Sequence, residues 1–322
     1  MSKPLVLLIG DLPPLVVDQI SARFETLSYD STKSAKSELG EKAEEIRGLA
    51  GVKAKVDGAF LDTFPNLKII ANYGVGYDSI DAAAARDRGV MVTNTPDVLN
   101  HDVADAAIGL LLMTIRRLSE SERYLREGKW HGDQFPLART TLRGRKVGII
   151  GMGRIGEEIA KRLLPFGVEL AYHARRQRDH LPYEYFGDLL AMATASDTLI
   201  TIVPGGPETR HLINGPILDA LGPDGILVNI ARGSVVDEPA LIDALQRGVI
   251  LGAGLDVFED EPNVPEALMP LENVVLLPHV GSSTVPTRNA MSQLVVDNII
   301  SWFDDRRAIT PVAETVRIPD EA

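Results

Sequence analysis

Arg232, Glu261 and His279 each come after an apolar run of the kind that forms a buried β-strand. An imidazole can give or take a proton near neutral pH, a carboxylate beside it favours its charged form, and a guanidinium can stabilise a developing negative charge. In open α/β sheets, ligands bind at the carboxyl ends of the strands. We therefore take these three residues as candidates for carrying a reaction. Taken singly, they could equally be a structural histidine, a turn acid before Pro262 and a charge at a helix start.

A glycine-rich stretch lies upstream of these three residues. An apolar run over Lys146–Ile150 leads into Gly151, Gly153 and Gly156, and a helical pattern follows. In this order the first glycine permits a tight turn, the second lets the backbone approach a pyrophosphate, and the third lets the helix pack closely on the strand. The N-terminus of the helix offers N–H groups to phosphates. The stretch predicts dinucleotide binding, although a glycine triplet can also form a plain turn.

The end of the next predicted strand bears on which dinucleotide is bound. NAD-binding domains usually carry an acidic residue about 20 residues beyond the glycines, where it bonds the ribose 2′-hydroxyl. This chain has Ala174 there, followed by Arg175 and Arg176. Guanidinium groups bind phosphate through charge-assisted hydrogen bonds, so the sequence favours NADPH over NADH. The alternative is that the two arginines are simply a solvated strand end.

Two series of strands and helices must position these residues. The first is an N-terminal α/β domain, with strands predicted at Leu5–Ile9, Leu27–Tyr29, Leu67–Ile70 and Met91–Thr93 and helices at Pro14–Phe24 and Glu41–Ile46. One long buried helix is expected from His101 to Glu127. Six strands follow, which is the usual number for a dinucleotide-binding sheet: Val147–Ile150, Val168–His173, Thr198–Val203, Gly225–Asn229, Leu251–Leu255 and Val274–Leu277.

The C-terminal region contains one more helical pattern, from Met291 to Phe303. If this helix folds back onto the N-terminal domain, that domain is discontinuous. The predicted boundaries are then 1–98 with 288–322 for the first domain and 99–287 for the dinucleotide-binding domain. The last segment, Pro311–Ala322, is polar with two prolines and is expected to be a mobile arm.

Composition narrows the class of protein. The 322 residues include 45% hydrophobic and 24% charged residues, as in an ordinary globular protein. A formal net charge of −12 argues against a general affinity for nucleic acid or for anionic membranes. The absence of cysteine excludes disulfides and thiolate metal sites. Because no apolar run is long enough to span a bilayer, we expect a cytoplasmic protein.

These motifs, in this order, resemble the D-isomer-specific 2-hydroxyacid dehydrogenase family. The resemblance runs from Asn72-Tyr73-Gly74-Val75-Gly76-Tyr77-Asp78 to Pro278-His279-Val280-Gly281, and the NADPH-dependent glyoxylate/hydroxypyruvate reductase and 2-ketogluconate reductase branch is the most similar. It implies two Rossmann-like or flavodoxin-like parallel-sheet domains, the cofactor domain being inserted into a discontinuous substrate domain. It also implies a homodimer that reduces small 2-oxo acids without a metal.

The resemblance implies a role for each site residue. His279 would be the general acid, Glu261 would hold its ring, and Arg232 would bind the 2-oxo acid and polarise its carbonyl. The backbone N–H groups of Val75 and Gly76 would bind the substrate carboxylate. The cofactor would be held by the following residues: Gly151, Gly153, Arg154, Ile155, Arg175, Arg176, Pro204, Thr209, Ala231 and Asp256, the last at the nicotinamide carboxamide.

Several alternatives stay open at this stage. Within the class, 2-ketogluconate or another 2-oxo acid could be the substrate, and NADH could serve as the cofactor. Outside the class, some relatives are nucleotide-sensing corepressors that use the fold only for binding. Trp130 and Phe135 lie where family members can reach a neighbouring subunit's substrate site, or they could form an ordinary packed aromatic loop.

Overall fold

The computed structural model describes residues 3–29, 39–51, 55–132 and 134–318. The chain divides into two units. One takes in Met1–Leu99 and Thr284–Ala322, and the other is Asn100–Ser283. The first domain is therefore discontinuous, with the second inserted into it, as the resemblance implies. The residue numbers predicted for the domain boundaries remain a prediction.

The first unit is built on a parallel sheet of five strands in the order β2-β1-β3-β4-β5. Side chains alternate between its two faces: Leu7 and Ile9 join one apolar cluster, and Val6 and Leu8 join another. Burial on both faces explains why β1 is apolar throughout. The strands are β1 (Leu5–Ile9), β2 (Glu25–Tyr29), β3 (Ile46–Ala50), β4 (Ile69–Ala71) and β5 (Met91–Thr93).

The region around β3 differs from its prediction. The expected helix over Glu41–Ile46 is a short 3-10 helix, Gly40–Glu45, and Ile46 already begins the strand. The central strand β3 was not predicted, because its sequence holds both an arginine and Gly48 and lacks a continuous apolar run. A β-carbon at Gly48 would lie 3.3 Å from the Phe303 ring, so the glycine makes room for the C-terminal helix.

Within residues 3–29, 39–51, 55–99 and 284–318 of the first unit, four α-helices flank the sheet. The last of them confirms the predicted return of the chain: its residues Val295, Val296, Ile299 and Trp302 pack with Ile69 and neighbouring residues of the sheet in one apolar cluster. The helices are Pro14–Arg23, Gly58–Leu61, Ala82–Asp87 and Val285–Asp305.

Residues 311–318 do not form the mobile arm that the polar composition of the C-terminal segment predicts. Val312 and Thr315 are buried, and the Val312 N–H donates to the Val92 carbonyl at 2.9 Å. The Thr315 hydroxyl also donates to the Val92 carbonyl, at 3.1 Å. The segment thus packs beside β5 and satisfies its polar groups there. Residues 319–322 lie outside the described residues.

The second unit is built on a parallel sheet of seven strands in the order β12-β11-β10-β9-β6-β7-β8. The chain runs outward from β6 through β7 to β8 and resumes at β9 on the other side of β6, so the sheet has a topological switch point there. The strands are β6 (Lys146–Ile150), β7 (Glu169–His173), β8 (Glu184–Phe186), β9 (Thr198–Thr201), β10 (Ile226–Asn229), β11 (Gly252–Leu255) and β12 (Val274–Leu276).

Two predictions for the second unit need correction. The sheet has a seventh strand, β8, whose three residues at the sheet edge include an exposed glutamate and are too short to give a pattern. The predicted helix His101–Glu127 is two helices, Asn100–Arg116 and Leu118–Arg126. Arg117 adopts a left-handed conformation with φ of 53° and pairs with Glu120, which ends the first helix. The first helix is largely buried, whereas the second buries no residue.

The remaining helices of this unit flank the sheet and are shorter. They are Arg154–Leu163, Leu189–Thr194, Gly215–Leu221 and Glu238–Arg247. Within the described ranges of the two units, no helix has both the length and the apolar character needed to cross a membrane.

Arg145, just before β6, is a buried cation with its hydrogen-bonding groups engaged. It is 5% exposed, and it donates to the Thr198 hydroxyl at 2.9 Å, to the Asp224 carbonyl at 2.7 Å, and to the Asp197 carbonyl. We expect Arg145→Ala to lower the free energy of unfolding by roughly 2–4 kcal/mol, because it leaves buried acceptors unpaired. Chemical denaturation measures this loss.

The matched control for that prediction is Arg139→Ala. Arg139 also reaches Asp224, but through an exposed ion pair of 2.9 Å whose two side chains are more than half exposed. Such pairs contribute little. Equal losses of stability in the two variants would contradict the role given to Arg145.

Candidate active site

The glycine turn after β6 has the backbone geometry that a dinucleotide requires. Gly151 has φ of 103°, and a β-carbon there would lie 2.6 Å from the Ile202 carbonyl oxygen; one at Gly156 would lie 2.2 Å from the Gly151 oxygen. Both positions therefore exclude side chains for reasons internal to the protein. A β-carbon at Gly153 would meet nothing within 4 Å, so this glycine leaves open space. That space suits a pyrophosphate approaching the backbone.

The helix Arg154–Leu163 begins directly after this open position. Its N-cap is Gly153, which supplies no side-chain cap, and Arg154 and Ile155 form its first turn with Gly156. An uncapped N-terminus at a glycine turn suits a phosphate ligand, because the helix dipole and the N–H groups both favour an anion. These residues fit a dinucleotide, as predicted from the sequence.

Arg175 and Arg176 follow β7 and are exposed. The Arg175 side chain is 91% exposed, and its contact with Glu208 spans 3.8 Å, so little holds it in place. The backbone beneath is fixed, since the Tyr185 hydroxyl donates to the Ala174 carbonyl at 3.2 Å. Two exposed guanidinium groups therefore follow a strand end whose backbone is fixed. Ala174, and not a carboxylate, precedes them at this strand end.

The loop after β9 carries two more of the predicted cofactor contacts, Pro204 and Thr209. The Thr209 hydroxyl donates to the Pro204 carbonyl at 2.7 Å, which closes the loop on itself. This bond gives Thr209 a local structural role. Contact of either residue with the cofactor stays a prediction.

Arg232 is placed by the residues around it. The buried Asn229 side chain donates to the Arg232 carbonyl at 2.9 Å and accepts from the Ala231 N–H at 3.1 Å, and Thr201 donates to the same amide oxygen at 2.6 Å. The Arg232 guanidinium also donates to the Ala231 carbonyl at 2.7 Å. Both backbone groups of Ala231 are thereby used to shape the turn, and Arg232 is held at the end of β10.

Glu261 and His279 form a pair. The Glu261 Oε2 lies 2.7 Å from the His279 Nδ1, and the Glu261 Oε1 accepts from the Phe258 N–H at 3.1 Å. Burial acts to raise the pKa of Glu261, but the hydrogen bond and charge of His279, the Phe258 N–H and the charge of Arg232 outweigh it and lower that pKa. Glu261 is therefore a carboxylate at neutral pH. The His279 side chain is 47% exposed, and among the described residues its Nε2 has no hydrogen-bond partner.

Asp256, at the end of β11, holds the loop that carries His279. Its carbonyl accepts from the His279 N–H at 2.8 Å, and its carboxylate accepts from the Val280 N–H at 2.7 Å and the Gly281 N–H at 2.9 Å. Burial raises the pKa of Asp256, opposed by these two N–H groups and by the charge of His279. Asp256 thus fixes the left-handed conformation of His279, whose φ is 52°. Its contact with a nicotinamide carboxamide stays a prediction.

Val75 and Gly76 lie in the first unit, in the loop after β4. The buried Asn72 side chain donates to the carbonyls of Gly74 at 3.0 Å and Gly76 at 2.9 Å, and Asn94 donates to the Val75 carbonyl at 2.8 Å. No acceptor for the N–H groups of Val75 and Gly76 is found in the part of the chain that the structure describes. Two such N–H groups suit a carboxylate.

Asn72, Asn94 and Asn229 were missed as site residues by sequence reasoning. Each shapes a predicted binding loop through its side-chain amide. Their positions directly after apolar runs were the only indication available.

Trp130 is 64% exposed, whereas the Phe135 ring packs on Tyr124 at 5.4 Å and beneath Arg117 at 5.3 Å. Phe135 is therefore a packed aromatic residue, and a role for either in a neighbouring subunit stays a prediction.

Comparison with known proteins identifies the class. A family model described as D-isomer specific 2-hydroxyacid dehydrogenase, NAD binding domain, matches residues 108–281. The chain belongs to this family, as its sequence motifs indicated.

Individual relatives cover nearly the whole chain. A hydroxyphenylpyruvate reductase of Plectranthus scutellarioides is 44% identical over 95% of this chain and 98% of its own length. A 2-ketogluconate reductase of Gluconobacter oxydans is 44% identical over 97% and 99%. The crystal structure of an NADPH-dependent glyoxylate/hydroxypyruvate reductase of Sinorhizobium meliloti, in complex with NADP and malonate, has a TM-score of 0.92 and 51% identity and covers 98% of both chains.

Proposed function

We propose that this protein reduces small 2-oxo acids with NADPH, converting glyoxylate to glycolate and hydroxypyruvate to D-glycerate. The observation that carries the proposal is the pair Glu261–His279, in which the Glu261 Oε2 lies 2.7 Å from the His279 Nδ1. The charge of Arg232 helps to lower the pKa of Glu261. A general acid beside a cation suits a carbonyl that gains a proton as it becomes an alcohol. Membership of the dehydrogenase family and 51% identity to an NADPH-dependent glyoxylate/hydroxypyruvate reductase support it.

His279 supplies the proton in this reaction. Its Nε2 donates to the carbonyl oxygen as carbon is reduced and removes the same proton in the oxidation direction. Glu261, ionised and bonded to Nδ1, fixes the ring orientation and stabilises the imidazolium. NADPH supplies the hydride when bound.

Arg232 and the loop of Val75 and Gly76 provide for the rest of the substrate. The guanidinium binds the 2-oxo acid and stabilises the negative charge that develops on its carbonyl oxygen. The N–H groups of Val75 and Gly76 bind a carboxylate. An aldehyde or ketone without a carboxylate would offer these N–H groups no partner, so they favour 2-oxo acids as substrates.

We propose that Arg175 and Arg176 bind the 2′-phosphate of NADPH. We expect the double variant R175A/R176A to raise the KM for NADPH about 10-fold for each arginine removed, since each loses a charge-assisted hydrogen bond. The KM for NADH, which has no 2′-phosphate, changes little. Arg178→Ala, in the same exposed stretch, is the control. A double variant that keeps its preference for NADPH would contradict this assignment.

The test of the proposed function is a steady-state panel of 2-oxo acids with both cofactors. We expect the highest kcat/KM with NADPH and with glyoxylate or hydroxypyruvate, followed at 340 nm as NADPH is consumed. Higher kcat/KM for 2-ketogluconate would favour the second candidate, for which the similarity to the Gluconobacter oxydans enzyme is the specific observation. No turnover of any 2-oxo acid would reject the proposal.

We also propose that the enzyme is a homodimer of the cytoplasm. Of the ten large apolar side chains that are exposed in the described residues, Leu118 and Leu125 lie on the helix Leu118–Arg126, and Trp130 and Leu137 follow within eleven residues of its end. Exposed apolar and aromatic side chains are typical of a subunit interface. The lack of cysteine is compatible with a reducing compartment. A monomeric mass in light scattering would contradict the dimer.

A further inference from the structure

The loop between β11 and the cis-proline turn, which we call the Phe258–Glu261 loop, carries the carboxylate that orients His279. Glu261 belongs to it, and the loop must hold that carboxylate 2.7 Å from the ring. The loop has no regular secondary structure, so its backbone N–H groups need side-chain acceptors; the Phe258 N–H finds one inside the loop, the Glu261 Oε1 at 3.1 Å. One of its peptide units, the link between Phe258 and Glu259, is contacted from two sides.

Gly233 contacts this peptide on one side. A β-carbon on Gly233 would lie 1.8 Å from the Phe258 carbonyl carbon and 2.2 Å from the Glu259 nitrogen, so the glycine backbone itself packs against the peptide. Gly233 directly follows Arg232. The segment that positions the cation is therefore in van der Waals contact with the loop that positions Glu261.

Glu238 contacts the same peptide through a hydrogen bond. Its Oε1 accepts from the Glu259 N–H at 2.7 Å. Glu238 is the first residue of the helix Glu238–Arg247 and is only 9% exposed, although helix-start glutamates are normally solvated. Burial raises the pKa of Glu238, the Glu259 N–H opposes this, and the nearby charges of Glu259, Asp260 and Glu261 add to it. Burial beside three acidic residues disfavours the charged form of Glu238, and the hydrogen bond from the Glu259 N–H offsets part of this cost.

Resting on the proposed function, we propose that Glu238 is a positioning residue for the reaction: it fixes the Phe258–Glu259 peptide against Gly233 and so holds Glu261 at His279. The Glu259 side chain does not duplicate this role. It pairs with Arg210 at 2.5 Å and with His211 at 3.4 Å, at the end of the loop after β9. Glu238 is thus the contact between a regular helix and the backbone of the Phe258–Glu261 loop.

The first test compares Glu238→Ala with Glu238→Gln. Alanine leaves the Glu259 N–H without its acceptor, and we expect kcat for 2-oxo acid reduction to fall roughly 10- to 100-fold with the KM for NADPH unchanged, because a small misplacement of a reacting group is costly. The amide oxygen of glutamine can accept the same hydrogen bond, so Glu238→Gln restores most of kcat. The control on the same helix is Asp243→Asn, which only breaks the exposed pair with Arg247.

The second test does not depend on turnover. In amide hydrogen exchange of the NADPH-bound protein, Glu238→Ala should speed exchange across residues 257–261 about 10-fold or more, while Glu238→Gln and Asp243→Asn leave it at the wild-type rate. Unchanged exchange in Glu238→Ala, or a glutamine variant as impaired as the alanine one, would overturn the proposal. If the wild-type enzyme reduced no 2-oxo acid, the proposed function would be wrong. The exchange experiment would still test whether Glu238 holds the Phe258–Glu261 loop.

Discussion

Replacement of His279 is expected to lower kcat for 2-oxo acid reduction by roughly 10²- to 10⁴-fold, the usual contribution of a general acid. Without the imidazole, the carbonyl oxygen must take its proton from water while charge develops on it. The KM values should change much less, since the ring contributes mainly in the transition state. Steady-state kinetics at saturating NADPH measure the effect.

Two variants make this prediction independent of backbone effects. His279 has φ of 52°, a conformation that alanine adopts reluctantly and asparagine tolerates. His279→Asn therefore keeps the backbone and can still bond to Glu261, yet it has no proton to give at neutral pH. His180→Ala is the control, because that side chain is 61% exposed and its contact with Glu157, at 3.4 Å, is a weak one. If His279→Asn kept a near wild-type kcat/KM, His279 would not be the acid.

Arg232→Ala is expected to damage both kcat and KM. Loss of the charge that stabilises the developing oxyanion should lower kcat roughly 10²- to 10³-fold. Loss of the ion pair with the substrate should raise the KM for the 2-oxo acid roughly 10-fold or more. The KM for NADPH should be nearly unchanged, which separates this variant from R175A/R176A.

Arg232→Lys tests the same residue more finely. Lysine supplies a charge but lacks the planar fork that binds a carboxylate through two parallel bonds, so it should recover only part of the activity. Arg247→Ala, which removes an exposed ion pair on a helix of the same unit, should behave as wild type. A selective rise in KM with unchanged kcat in Arg232→Ala would mean that the arginine binds substrate without stabilising the transition state.

The features that could be predicted from the sequence are those with a local physical cause. The glycine turn was predictable because Gly151 has a positive φ of 103° and a β-carbon at Gly156 would lie 2.2 Å from the Gly151 oxygen, and both requirements arise within the strand–turn–helix unit. The candidates Arg232 and His279 could be placed at strand ends because apolar runs precede them. The sequence shows directly that Ala174 stands where NAD-binding domains usually carry an acidic residue.

What could not be predicted depends on contacts between distant parts of the chain. The break at Arg117 falls where a mostly apolar helix gives way to a polar one, and the adjacent Arg116 is of the same residue type, so nothing local indicates that Arg117 takes a positive φ. The tail beyond Pro311 looks polar, yet Val312 and Thr315 are buried beside β5. The bond from Glu259 to Glu238 spans 21 positions, so no sequence spacing indicates it.

The central claim is that hydride passes from NADPH to the carbonyl carbon of a 2-oxo acid at a site that provides the proton through His279. The most direct measurement uses hydroxypyruvate with NADPH that carries deuterium on the transferable position of the nicotinamide, followed by NMR and chiral analysis of the product. We predict D-glycerate with one deuterium at C2 from the wild-type enzyme. Glycerate without deuterium, the L-isomer, or no glycerate at all would contradict the account.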